Sequence, residues 1–310
     1  MGDGIQLNKP WLIAVWPGMG NVAVSAGYYL MAKLGMELLA EFSPAEQFDV
    51  EHVEVKQGII QPVQRPRSRL FVRRDADGKR DIIVFIGEAQ PQIGKYAFCH
   101  RLIEFAQKLG VERVFTFAAM ATQMHPEHES RVFAATTDDA CIDELRRREL
   151  LLLEDGRIGG LNGVLLGAAA EAGLPGICLL GEMPHVFMQL PFPTASLAVL
   201  KTFRSIAEID VDLDELEQQA RAMNEKLGEF LARVGQAMEH EHEPEVEEEY
   251  TPEPTEEPRL SAEDEQRIED LFRQAAQDRS KAYELKQELD RLNAFTDYED
   301  RFLDLFKGSD

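Results

Sequence analysis

Four short stretches bring together residue types that could do chemistry. Pro17-Gly18-Met19-Gly20-Asn21 follows one apolar run, and Gly87-Glu88-Ala89-Gln90-Pro91 follows another. Gly159-Gly160-Leu161-Asn162-Gly163 opens an alanine-rich stretch, and Gly181-Glu182 with His185 closes the apolar run Ile177 to Leu180. If those runs are neighbouring strands, their polar ends converge where open α/β sheets build ligand crevices. Two carboxylates and an imidazole could move a proton or hold a magnesium ion there. A glycine-rich turn at a helix start offers unpaired N–H groups to an anion. The same residues serve equally as turn caps that bind water. Gly18, Gly20, Asn21, Glu88, Gln90, Gly160, Asn162, Gly163, Glu182 and His185 therefore form a candidate ligand crevice, with no catalytic role assigned.

Other motifs carry less. Gly18-x-Gly20-x-x-Ala23 matches a dinucleotide fingerprint, and Glu41 stands about where a ribose-binding acid would. That motif is short and permissive, and the hairpin after it does not extend a dinucleotide fold, so no cofactor is expected. In His125-Pro126-Glu127-His128 the proline breaks any helix that would align both imidazoles, so no metal site is expected. Cys99, Cys141 and Cys178 are scattered, without a C-x-x-C, which suits a reducing cytoplasm. There is no G-x-S-x-G elbow and no P-loop in the sequence.

The elements that must position these residues alternate. Strands are expected over Trp11–Trp16, Glu37–Phe42, Leu70–Arg73, Ile82–Ile86, Val114–Ala118, Val132–Ala135 and Ile177–Leu180. Val53–Val55 and Gly58–Val63 read as a short excursion from the sheet. Helices are expected over 21–34, 92–109 (Tyr96, Ile103, Ala106 and Leu109 inward), 138–148 and 194–209, with another opened by the Gly159–Gly163 turn and stopped at Gly173-Leu174-Pro175. Asp75-Ala76-Asp77-Gly78 is a hairpin turn signal. Strands alternating with helices give an α/β domain over 1–210 with a largely parallel sheet.

Beyond that, residues 211–238 form an amphipathic helix with Leu213, Leu216, Ala220, Met223, Leu227, Phe230, Val234 and Ala237 on one face. Residues 239–258 are an acidic, proline-rich linker, and 259–310 a helical segment starting at Ser261. Its seam Ile268, Leu271, Ala275, Asp278, Ala282, Leu285, Leu289, Leu292 fits either a coiled coil or a helix packed back on its own domain. Phe302, Leu305 and Phe306 make a terminal apolar knob.

At 310 residues and 44% hydrophobic, the chain can bury a substantial core. Its net charge is −23, of which the ten acids between Glu239 and Glu257 supply −10. Nucleic acid and anionic membranes are excluded as partners on that charge. The N-terminus lacks an apolar signal core, and the most apolar stretch, Leu161 to Leu180, is interrupted by Glu171 and Pro175. A cytoplasmic location follows as the expectation.

Taken in order, the four stretches with Tyr96, Leu165-Leu166-Gly167, Pro184 and Pro191-x-Pro193-x-Ala195-Ser196-Leu197 resemble the proteasome assembly chaperone 2 family over roughly 10–205. The resemblance implies a three-layer α/β/α fold related to nucleoside phosphorylases, and homo-oligomers, trimers among them. The long C-terminal helices resemble extensions on larger bacterial members. Some archaeal relatives dock on the proteasome through a hydrophobic–Tyr–any-residue terminus; this sequence ends Phe306-Lys307-Gly308-Ser309-Asp310. Two readings follow. The leading one is a non-catalytic oligomeric scaffold or assembly chaperone, with protein contacts through its C-terminal helices. The other is a small-molecule enzyme or binder for a nucleoside, nucleotide or amide, of ligase or hydrolase type, working at the crevice.

Overall fold

The computed structural model describes residues 6–42, 47–48, 53, 55–63, 65–75, 78–240 and 260–307. Strand β1 (Trp11–Val15) lies in the middle of an eight-stranded sheet, and all five of its residues are buried. Helix α1 (Val22–Lys33) follows, then the edge strand β2 (Glu37–Glu41). A small separate hairpin, β3 (Val55–Lys56) and β4 (Ile59–Ile60), precedes β5 (Ser68–Arg73) and β6 (Ile82–Gly87). Next come α2 (Lys95–Lys108), β7 (Arg113–Thr122), β8 (Val132–Thr136), α3 (Asp139–Arg147) and β9 (Leu151–Leu152). Helix α4 (Gly160–Glu171), β10 (Gly176–Pro184) and α5 (Pro193–Ala207) complete the layered part.

The strand order is β2-β5-β6-β1-β7-β10-β8-β9. Neighbours β6, β1, β7 and β10 run parallel, β5 is antiparallel to both β2 and β6, and β8 is antiparallel to β10 but parallel to β9. The central strands read as unbroken apolar runs because helices cover both faces. On one face, Leu12, Ala14, Phe85 and Cys178 pack against Phe98, Leu102, Leu161 and Leu165 of α2 and α4. On the other, Ile13, Val15, Ile86 and Leu179 pack against α1 and α5. The fold is three-layer α/β/α with a mostly parallel sheet and helices added at the C-terminus.

Helix α1 has buried residues around its whole circumference, with no polar face. Such a helix needs cover on its outer side too. The cover comes from α6 (Asp214–His240), α7 (Ala262–Gln277), α8 (Ala282–Arg291) and α9 (Phe295–Asp304). The Tyr28 ring meets Phe295 and Phe302 edge-on at 5.2 and 5.7 Å, and Tyr29 meets Tyr283 at 4.4 Å. Phe306 packs on Phe71 at 6.0 Å, and its carbonyl accepts from Leu38 N on the edge strand at 2.7 Å. The chain end thus occupies part of an edge that would otherwise invite another strand.

Several expectations change. The seam from Ser261 is not one helix: Asp278 leaves helical geometry (φ −138°, ψ 102°), and its side chain accepts from Ser280 N, so α7 stops and a new turn starts. Ile268, Leu271, Ala275, Ala282, Leu285 and Leu289 are nevertheless all buried within this chain. Strand β10 runs on to Pro184, because β7 and β8 flank it, so Glu182 lies inside a strand and not beyond its end. Tyr96 is half exposed, and its hydroxyl donates across to Glu171 of α4. Phe230 faces outward, 55% exposed. The short strand β9 was not expected. Most of the 239–258 linker, Ala76-Asp77 of the hairpin turn and the last three residues lie outside the described residues, as do the side chains beyond Val234 in α6.

Candidate functional site

The ten candidate residues fall into separate groups along the carboxyl end of the sheet. The first is organised by Gln90. Its amide Nε2 donates to the Pro17 carbonyl at 3.2 Å, and its Oε1 accepts from Leu161 N at 3.2 Å. One side chain therefore ties the Gly18 turn after β1 to the first turn of α4. Gly160 takes a positive φ of 67°, and a Cβ there would come within 2.9 Å of Gln90 Oε1, so a side chain would strain the backbone and crowd the amide. A Cβ on Gly163 would lie 2.0 Å from the Ile158 carbonyl oxygen. Asn162 takes the Thr116 hydroxyl on its backbone carbonyl at 3.1 Å, while its side-chain Oδ1 is buried without a hydrogen-bond partner.

Gly20 and Asn21 are tied to the opposite side of that turn. Gly20 N donates to the Met188 carbonyl at 2.9 Å, and Phe192 N donates to the Gly20 carbonyl at 3.0 Å. Asn21 is left-handed (φ 50°) and exposed, at the N-cap of α1 without a side-chain cap bond. This turn anchors the segment between β10 and α5 onto α1.

Glu88 faces away from Gln90, toward β5. Its carboxylate accepts from Arg67 N at 2.6 Å and lies 3.2 Å from Arg69 Nη1. Arg69 is 1% exposed, points Nε toward Glu41 at 3.6 Å, and donates to Asp300 of α9 at 2.7 Å. Glu41, placed by the sequence as a ribose acid, belongs to this ion cluster. Burial pushes the Glu88 carboxyl above its ordinary range, more than Arg67 and Arg69 pull it down. Nearby, Tyr28 donates to Glu299 at 2.5 Å, and burial raises both groups.

Glu182 and His185 share Thr122. The Thr122 hydroxyl donates to Glu182 Oε1 at 2.8 Å, and its carbonyl lies 3.1 Å from His185 Nδ1. Arg131 grips the same carboxylate with Nε at 2.7 Å and Nη2 at 2.6 Å, a two-pronged pairing. Those bonds hold the Glu182 carboxyl below its ordinary value and raise the Arg131 guanidinium. Arg131, Glu182, Thr122, Met124 and His128 line an open groove of about 560 Å³.

Glu88 follows β6 and Glu182 sits on β10, three strand spacings away, or about 14 Å at the usual interstrand distance. The two carboxylates cannot act on one proton or one ion. Among the described residues no group of three or more His, Cys, Asp or Glu has a metal-holding arrangement. Burial lifts the Cys99 and Cys178 thiols to about 12, well above the range of a thiolate nucleophile at neutral pH.

Sequence reasoning missed Arg69, Arg131 and Thr122. Arg69 left a signal, a charge inside the apolar strand Ser68-Arg69-Leu70-Phe71-Val72, which demands buried partners. Arg131 left none, since its partner lies 51 residues away.

A three-layer sandwich with a mostly parallel sheet and glycine turns at its carboxyl end defines an α/β class that hosts many activities. Within that class the PAC2 family profile matches residues 12–231, and this chain belongs to the PAC2 family. An uncharacterized protein of Methanocaldococcus jannaschii is 29% identical over 230 residues, covering 72% of this chain and 85% of its own. The crystal structure of a proteasome-assembly chaperone homologue from Mycobacterium tuberculosis superposes with a TM-score of 0.62 at 23% identity, over 71% of this chain and 94% of that one. Pyrococcus furiosus PbaB, an archaeal proteasome activator, gives 0.61 at 24% identity, over 74% and 94%. The family match ends within α6, so α7, α8 and α9 lie beyond it.

Proposed function

We propose that this chain is a non-catalytic, homo-oligomeric scaffold of the assembly-chaperone type, acting on protein subunits. The observation that carries the reading is the partition of the candidate polar groups. Gln90 is engaged with Pro17 and Leu161, Glu88 with Arg67 and Arg69, and Glu182 with Arg131 and Thr122. Each makes an internal tie; Glu88 and Glu182 lie three strand spacings apart, and the Glu182 carboxylate, although it shares a groove with His128, is held by Arg131 and Thr122. Family membership, and structural neighbours named as a proteasome-assembly chaperone homologue and a proteasome activator, support the same direction. A closed oligomer such as a trimer, in the cytoplasm, fits this role. Because the α7–α8 seam is filled within the chain, contacts by those helices with a partner would use their outer, charged faces. Light scattering on the purified chain, with turnover assays on nucleoside, nucleotide and amide substrates, tests the proposal. A mass at a multiple of 35.0 kDa without turnover is expected; a monomer, or turnover lost in Glu182→Gln, contradicts it.

A second reading, a binder of a nucleoside, nucleotide or amide, rests on one observation. Asn162 Oδ1 is buried without a partner beside the first turn of α4. A ligand donor there would satisfy it.

A further inference from the structure

Helix α9 closes over the sheet through an ionic contact that holds more acids than bases. On the sheet side, β5 and the residue before it supply Arg69 and Arg67, the end of β6 supplies Glu88, and the edge strand β2 supplies Glu41. Helix α9 brings Asp300, which both arginines meet, and Glu299, which accepts from Tyr28 of α1. Four carboxyl groups therefore share two guanidiniums. One further base stands at the contact, Lys286 of α8, over the Tyr28 and Phe295 rings. It is bonded to Asp290 at 2.6 Å, so that pair adds no net charge.

The surplus falls on the two inner acids. Glu41 and Asp300 reach solvent, whereas Glu88 and Glu299 are half-buried. Glu88 Oε1 lies 3.2 Å from Arg69 Nη1, yet neither atom has an aligned hydrogen bond. Among the described residues Glu299 makes no ion pair, and its bond is to the neutral Tyr28 hydroxyl at 2.5 Å. A carboxyl held from water without a full cationic partner favours its protonated form. Burial is the main cause that raises both groups, and the Glu88 charge adds to the rise of Glu299.

What α9 covers is an apolar surface and a sheet edge. Phe302 lies edge-on against Tyr28, and Phe306, just past the helix, packs on Phe71. The Phe306 carbonyl takes Leu38 N of β2, the outermost strand on that side. Helix α9 joins α8 at Asn293, a left-handed residue (φ 53°), followed by Ala294. Helix α8 has its own hold on the body, through Tyr283 against Tyr29 and onto Gln219 of α6. The last helix and the turn after it can therefore leave as a unit while α8 stays.

We propose that α9 is a pH-sensitive latch, docked over β2 and α1 while Glu88 and Glu299 hold protons and released when both ionise. Release uncovers the Leu38 N–H on the edge strand together with the Tyr28 and Phe71 rings. A sheet edge freed in this way accepts an added strand. In the released state each carboxyl follows its ordinary value, about 4.3. Between that value and the raised, docked one, the released form carries one proton fewer at each site. Docking then weakens as pH rises, by up to about tenfold per pH unit for each carboxyl.

Amide hydrogen exchange of the full chain between pH 5 and pH 8, corrected for intrinsic exchange, reads this opening directly. The amides of α9 and of Leu38 should lose protection as pH rises, while those of β1 and β7 keep theirs. Glu88→Gln combined with Glu299→Gln has no titrating group at either position and should keep α9 protected at pH 8. Glu299→Gln alone leaves the Arg69 cluster in place and should restore part of that protection. Protection of α9 that does not change with pH in the unaltered chain overturns the latch. So does a loss that β1 shares, which is global unfolding, or one that persists in the double variant.

Discussion

Two arginine–carboxylate contacts, one on each flank of the sheet, do opposite things to their acids. At β5 and β6 the arginine is the buried partner: Arg69 is 1% exposed, and Glu88 beside it has its carboxyl raised by burial. At β8 and β10 the acid is the buried partner: Glu182 is 2% exposed, Arg131 is 61% exposed, and the carboxyl is lowered by Arg131. The Arg131 pair has two short aligned bonds and a threonine hydroxyl, enough to outweigh desolvation. The Arg69 cluster spreads one guanidinium over Glu41, Glu88 and Asp300, and no single acid receives its full bonding. Geometry decides the sign, and counting charges does not. The first contact fastens α9 onto the sheet, and the second closes the turn between β7 and β8 onto β10.

The largest expected break is Arg69→Ala. It leaves Glu88 beside an emptied buried site, and losing one partner of a buried pair costs about 3–5 kcal/mol; urea unfolding reads this as a lower midpoint at unchanged slope. Glu182→Gln should cost less, about 1–3 kcal/mol, because the amide keeps one acceptor for Thr122 or Arg131. The pH response should separate the two sites by sign. Glu182, lowered, contributes stability above the ordinary carboxylate range and loses it as pH falls through its folded value. The gap between the unaltered chain and Glu182→Gln should therefore close on acidification. Glu88, raised, contributes below its ordinary value and loses that as pH rises through its folded value. Glu88→Gln should gain on the unaltered chain as pH rises, in the same midpoint series. Asp300→Asn touches only the exposed end of the cluster, 51% exposed, and should cost about 0–1 kcal/mol.

Much of the fold was legible because its strongest signals are local. Trp11–Val15 and Ile82–Gly87 are apolar without alternation, as strands covered on both faces must be. Gly173 and Pro175 mark the end of α4. The cover over α1 was not read from the sequence, although ten of its twelve residues are buried and no polar face is left for water. What escaped depends on partners far along the chain. The last turns of β10 pair with Ala119–Thr122 of β7, and neither segment looks like a strand alone. Gln90 has the setting of a ligand residue, yet its amide bridges partners 73 and 71 residues away, a role that no local pattern encodes. Asp278 is the one polar position of the expected seam, and its carboxylate caps a new turn and divides the helix.

The central claim is that the polar groups at the carboxyl end of the sheet hold structure together and serve no substrate. The most direct measurement is a thermal-shift series of the full chain against nucleosides, nucleotides, phosphate and divalent ions, beside Asn162→Ala. The account predicts no shift with any of them in either protein. A ligand at about 100 times its dissociation constant would add roughly 2.7 kcal/mol, a rise of about 2–4 °C. Such a rise, present in the unaltered chain and absent in Asn162→Ala, would contradict the account and place a binding site at the first turn of α4.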